Sequence, residues 1–170
     1  MRFEELLDRH EREIYRFARR VTSNPDDAAD VLQDTFLRAF KAFRKLPEDA
    51  NHRAWLYRIA GRVAIDLARS KKIRAALPIE SVSEIAGQDG DPESRIRARR
   101  LADAVLVLVQ TLPQRQRIAL VQRKYEGLPY REIATTLGCS EQTARAHVYQ
   151  AMTKLRRHLA QSDASHATAA

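Results

Sequence analysis

Gly138 and the residues on either side of it constrain the fold of this chain most. The stretch 129–158, PYREIATTLGCSEQTARAHVYQAMTKLRRH, reads as a short helix, a tight turn and a second, basic helix. Ile133, Ala134 and Leu137 give the first helix an apolar face, and Gly138 permits the left-handed backbone of a sharp turn. Ser140 is a good N-cap, and Glu141 sits where the helix dipole favours a negative charge, so the second helix starts near Glu141. Ala144, Val148, Ala151 and Leu155 form its inward stripe. That leaves Gln142, Thr143, Arg145, Ala146, Tyr149 and Gln150 outward, and outward Gln, Thr and Arg suit base edges and phosphates. Glycine-joined helix pairs also occur in all-helical proteins of other kinds, so spacing alone leaves DNA binding and plain helix packing both open. Charge tips the balance: residues 113–158 hold nine Lys/Arg against three Glu, a fitting phosphate-binding surface.

The rest of the chain has the composition of a helical protein. In 170 residues there are 5 Gly, 6 Pro and 6% aromatics, with long runs of Ala, Leu, Arg, Glu and Gln and no convincing alternating strand. A hydrophobic share of 44% suffices for one ordinary core or two small ones. The net charge of +8 is unevenly spread. Residues 53–74 carry seven basic groups and one acidic, whereas residues 1–35 carry six basic and nine acidic. Two basic segments separated by an acidic one, 75–112, suggest two contacts with a polyanion; the acidic N-terminal region needs a different partner or simply water. No stretch has the apolar length of a membrane span, and the charged, amphipathic N-terminus is not a secretory signal, so a cytoplasmic protein is expected. Cys139 is the single cysteine and the five His lack metal-ligand spacing, so neither a metal nor a cofactor is expected, and Cys139 reads as a small packing residue rather than a redox group.

Periodicity predicts an all-α fold of two small helical domains joined by a flexible linker, the second containing the helix-turn-helix. Apolar residues from Phe3 to Val21 mark a first helix, and Asn24-Pro25-Asp26-Asp27 caps and starts a second running to about Arg44. Its apolar face is Ala28, Val31, Leu32, Phe36, Ala39, Phe40 and Phe43. Trp55, Leu56, Ile59, Ala60, Val63 and Leu67 mark a third, giving a domain over 1–74. Residues 75–91 read as the linker, and Asp91-Pro92-Glu93 restarts a helix that Pro113 ends. A further helix stops at Gly127, the helix-turn-helix completes a second domain over 92–160, and residues 161–170 are expected to be a disordered tail.

Three of these segments together resemble the extracytoplasmic-function class of bacterial RNA polymerase sigma factors, in the order and spacing of that family. NPDDAADVLQDTFLRAFKAF at 24–43 is similar to its polymerase-binding helix, WLYRIAGRVAIDLARSKK at 55–72 to its promoter-melting helix, and 112–157 to its C-terminal DNA-binding domain. The resemblance implies a polymerase-docking face of Asp30, Gln33, Asp34, Leu37 and Arg38. It implies contacts to the minus-ten element through Asn51, His52, Arg53, Trp55, Arg58, Arg62, Arg69, Lys71 and Lys72, since an opened strand needs cations for its phosphates and an aromatic face or pocket for a base. For Trp55 the core and the stacking platform stay open as alternatives. Relatives commonly carry an asparagine where this chain has Arg62, and a larger residue where it has Gly61. The minus-thirty-five element falls to Arg131, Gln142, Thr143, Arg145, Ala146, Tyr149 and Lys154. The partners so implied are core RNA polymerase and promoter DNA, with an anti-sigma factor as a further one; no small-molecule substrate is called for.

No nucleophile–base pair or glycine-rich phosphate loop is present, so the chain is not expected to be an enzyme. A conventional helix-turn-helix regulator acting without polymerase is the rival reading, yet no heptad seam or effector pocket supports it. An adaptor or decoy that kept the fold without the DNA role would be expected to have lost the two basic segments, which are present.

Overall fold

Each helix begins and ends where local chemistry dictates. The computed structural model describes residues 2–74 and 105–168, with side chains over 2–73 and 105–161. α1 spans Phe3–Val21. α2 spans Pro25–Phe43, its N-cap Asn24 accepting from the Asp27 amide at 2.8 Å with Pro25 at the first helical position. α3 spans His52–Arg74, and Asn51 Oδ1 accepts from the Ala54 amide at 3.0 Å at its start. Residues 105–111 are helical and stop before Pro113. α4 covers Gln114–Lys124, α5 Tyr130–Leu137 and α6 Glu141–Thr168. No strand occurs among the described residues. The turn between α5 and α6 follows the sequence reading: Gly138 lies at φ 63°, and Ser140 Oγ accepts from the Thr143 amide at 3.1 Å. Gly127, at φ 68°, reverses the chain between α4 and α5.

α1, α2 and α3 pack on one another as an N-terminal module; α4, α5 and α6 do the same as a C-terminal one. The two then pack together, α3 against α4 and α5 and α1 against α4, so that one apolar core runs from Leu6 and Phe17 through Leu56 to Ile118, Ile133 and Val148. Docking of this extent exceeds what two domains on a linker suggested. The predicted linker 75–91 and the helix start at Asp91 lie outside the described residues.

Polar groups fix the seam. Arg117 is 8% exposed and donates to the carbonyls of Val21 (3.1 Å), Gln110 and Leu112 (3.0 Å) and to Gln110 Oε1 (2.8 Å). A cation at the C-terminal carbonyls of α1 also complements that helix's dipole. Burial pulls its pKa down to about 10, which leaves it charged at neutral pH. Fully buried Gln122 donates to the Tyr57 carbonyl at 3.0 Å. Glycine inside a helix costs about 1 kcal/mol relative to alanine, and Gly61 meets that cost where α5 crosses α3: a Cβ there would stand 2.4 Å from Thr136 Cγ2.

Two expectations are corrected. α6 continues to Thr168, past the point where a disordered tail was expected, because no Gly or Pro interrupts the chain after Glu141. Phe40, assigned to the inward stripe of α2, is 62% exposed, since α1 covers Phe36 but meets Phe40 only edge-on through Phe3, with ring centroids 5.2 Å apart.

Removing the Arg117 side chain strands buried carbonyls on both modules, so Arg117→Ala should lower unfolding free energy by about 3 kcal/mol in urea titrations. Glu13 provides a pH test. Burial pushes its carboxyl up, but hydrogen bonds from His10 and Arg53 outweigh this and hold it below its ordinary 4.5. A depressed carboxyl adds stability that is present above pH 4.5 and lost as the pH falls through the folded value. Denaturation midpoints measured across that range should fall less steeply in Glu13→Gln than in the parent.

Candidate functional site

Three surfaces carry the residues singled out from sequence. On α2, Asp30, Gln33, Leu37 and Arg38 are exposed and Asp34 is half-buried. Arg38 is held in place, bonding Asp34 at 2.8 Å along the helix and Asp66 of α3 at 3.1 Å across it. Gln33 and Leu37 form one wall of an apolar groove between α1 and α2 whose other lining is Phe3, Leu7, Phe36 and Phe40. Leu37 is 53% exposed there. Periodicity put Phe40 in the core, so the groove was missed; an aromatic at the edge of a wide apolar stripe was the available signal.

α3 carries the second set, and here the structure uses the residues differently. Asn51 is engaged as the helix cap rather than lining a base pocket. His52 rests near the Phe43 ring, with centroids 6.2 Å apart, and Trp55 packs half-buried against the core. Arg53 donates to Glu13 at 3.0 Å and, across the seam, to the Glu126 carbonyl at 2.9 Å and its carboxylate at 3.3 Å. Arg58 pairs with Glu132 at 3.2 Å, Arg62 donates to the Thr135 carbonyl at 2.9 Å, and Lys71 pairs with Asp27. Arg69 and Lys72 stay exposed.

Glu126 is the hub of the seam. Its side chain, 7% exposed, accepts from Tyr57 at 2.5 Å and from Arg20 and Arg53 at 3.3 Å each. Burial, and then the neighbouring Glu126 carboxylate, push the Tyr57 hydroxyl far above its ordinary value, so it remains a donor at neutral pH. Neither Glu126 nor Glu132 stood out in sequence, although Glu126 is the one acid within the basic run 113–131.

The third set lies on α5 and α6. Gln142, Arg145, Ala146 and Tyr149 are exposed, Tyr149 at 71%. Thr143 is tied into the cap through its hydroxyl contact with Ser140, 2.9 Å. Arg145 lies over the Tyr130 ring at 4.5 Å and reaches Glu141 at 3.6 Å, while Arg123 covers the same ring at 4.7 Å. Tyr130 was not picked out from sequence, because its contact partners are 7 and 15 residues away and only the turn brings them to it. Arg131 projects into solvent, and Lys154 is turned onto Gln116 Oε1 at 3.0 Å. Burial pushes the Cys139 thiol up, keeping it a packing group rather than a thiolate. Among the described residues no three His, Cys, Asp or Glu are grouped to hold a metal ion, and no helix is long and apolar enough to cross a membrane.

Comparison with known proteins gives these surfaces a context. Sigma-70 region 2 matches residues 6–73 and Sigma-70, region 4 matches residues 102–155. The chain is 31% identical to the ECF RNA polymerase sigma factor SigM of Mycobacterium tuberculosis over 92% of this chain and 76% of that one. It is 31% identical to the ECF sigma factor SigE of Mycolicibacterium smegmatis over 99% of this chain, spanning 65% of that protein's length. Its fold matches the sigma factor RpoE of Bartonella quintana, solved with the anti-sigma factor NepR, with a TM-score of 0.76 and 24% identity over 92% of this chain and 96% of that one. Matches to both regions in order, and an identity of that length, establish that the chain belongs to the extracytoplasmic-function class of RNA polymerase sigma factors.

Proposed function

We propose that the chain binds core RNA polymerase and directs promoter-specific initiation in the cytoplasm, with its labour divided along the sequence. Residues 1–74 dock on polymerase and open the minus-ten element, 75–91 connect, and 92–160 read the minus-thirty-five element. The observation that carries this is the ordered match to both sigma-70 regions combined with exposed recognition residues on each. Asp30, Gln33, Asp34 and Leu37 form the polymerase-docking face, with Arg38 orienting Asp34. Leu37 and the groove beside it provide apolar area, and Asp30 and Asp34 complement a basic partner. Asn51 through Lys72 supply the minus-ten contacts once Arg53, Arg58 and Arg62 are released from the seam. Arg145, with Gln142, Thr143, Ala146 and Tyr149, reads the upstream duplex, and Arg131 and Lys154 meet its phosphates. Bond formation stays with the polymerase. An anti-sigma factor is a further partner, as for the Bartonella relative solved with one. Linking two weak DNA contacts raises the effective concentration of the second, so neither module must bind tightly alone.

Run-off transcription with core polymerase on genomic fragments tests the reading directly; absence of specific initiation on every fragment would count against it. Asp34→Arg should weaken core-polymerase binding about tenfold or more, because it reverses a charge at the docking face and repels Arg38. Arg145→Ala should cost about 1–3 kcal/mol in binding upstream-element duplex, with polymerase binding unchanged. Tyr130→Leu keeps volume but removes the ring under Arg145, and should weaken the same duplex binding by about 0.5–1 kcal/mol.

A further inference from the structure

We propose that the free protein holds itself in a closed form in which the C-terminal module covers the strand-reading face of α3 and leaves the polymerase-docking face of α2 open. The proposal rests on the reading of α3 as the minus-ten helix. Arg53, Arg58 and Arg62 are the guanidinium groups that a single strand's phosphates would take. In this conformation each is bound by an oxygen of the α4–α5 region: Arg53 by the Glu126 carboxylate and carbonyl, Arg58 by the Glu132 carboxylate, and Arg62 by the Thr135 carbonyl. The acceptors stand in for phosphate oxygens, so strand and seam compete for the same donors. Glu126 is too deeply buried to be a solvated surface acid, and its partners Arg20, Arg53 and Tyr57 all belong to the N-terminal module.

Gly61 gives independent support. A Cβ at this position would meet Thr136 Cγ2 at 2.4 Å and Gln122 Nε2 at 3.2 Å. Thr136 is 2% exposed and pinned by its hydroxyl to the Glu132 carbonyl at 3.0 Å, so it has no room to turn aside. A side chain is missing from the middle of α3 where the closed form needs none, although a helix alone is better served by one. The docking residues of α2, by contrast, bond only within the N-terminal module, and Gln142, Arg145 and Tyr149 on α6 stay exposed. Closure therefore hides one DNA contact selectively, and docking on polymerase can precede its release.

Gly61→Leu in the full chain is an uncharged wedge with high helix propensity that should part the modules and spare α3. Glu126→Gln/Glu132→Gln loosens the seam at constant volume, and Glu4→Gln/Asp8→Asn removes the same charge from exposed α1 as a control. Small-angle scattering of the isolated proteins reads closure, and fluorescence anisotropy with a short random-sequence single-stranded oligonucleotide at fixed salt reads the exposed face. The parent should scatter as a compact particle. Gly61→Leu should expand and bind the strand about tenfold tighter, the factor by which a competent form populated at about one in ten weakens apparent binding. The glutamine pair should exceed the charge control in the same assay, and polymerase binding should not change in either. A parent that is already extended and binds like the wedge variant overturns the closure. So does a glutamine pair that only equals its control. Expansion without tighter strand binding overturns the proposal through its premise, and specifically indicts the assignment of α3, since closure would then stand.

Discussion

A carboxylate withdrawn from water must be compensated where it lies, and the one that organises this molecule is Glu126. With its side chain 7% exposed, its charge is tolerable only because Arg20, Arg53 and the Tyr57 hydroxyl converge on it from another module. Breaking one partner leaves the others buried and unpaired, so the cluster acts as a unit. The neighbouring contacts follow the same logic. Arg117 closes the end of α1 with carbonyl acceptors, Gln122 reaches the Tyr57 carbonyl, and Gly61 lets α5 come close enough for all of them.

This arrangement sorts the functional surfaces by accessibility. The docking face of α2 and the outward face of α6 depend on residues that their own helices and caps orient, such as Asp34 beside Arg38 and Arg145 over Tyr130. The basic face of α3 instead depends on its partner, since the guanidiniums that suit phosphate suit carboxylate equally well. One chain thereby carries two always-presented contacts and one that competes with its own fold. For a family of specificity subunits, that separates polymerase binding from strand capture without an added domain.

Much of the fold was legible because it is local. Asn24-Pro25, Pro113, Gly127, Gly138 and Ser140 each act on backbone groups within a few residues, and the helices they bound are where periodicity put them. The exposed part of the candidate site was legible for the same reason, Gln142, Arg145 and Tyr149 being outward by helical spacing alone. Phe40 was misplaced because a stripe of apolar residues says that a helix is covered, not by how much; α1 reaches Phe36 but only the edge of Phe40. The tail was misjudged because a polar, Ala-rich sequence without breakers continues a helix already nucleated upstream.

What the sequence determined by itself was the all-helical chain, its turn chemistry, its two basic segments and the family whose motifs it carries. Those depend on residue type and on spacing along the chain. What only the tertiary structure decided was the fate of the basic groups on α3. Arg53 and Glu126 are 73 residues apart, and no periodicity links them. Their pairing exists because burying both modules' apolar faces brings a carboxylate and a guanidinium into a place with little water, where each must satisfy the other.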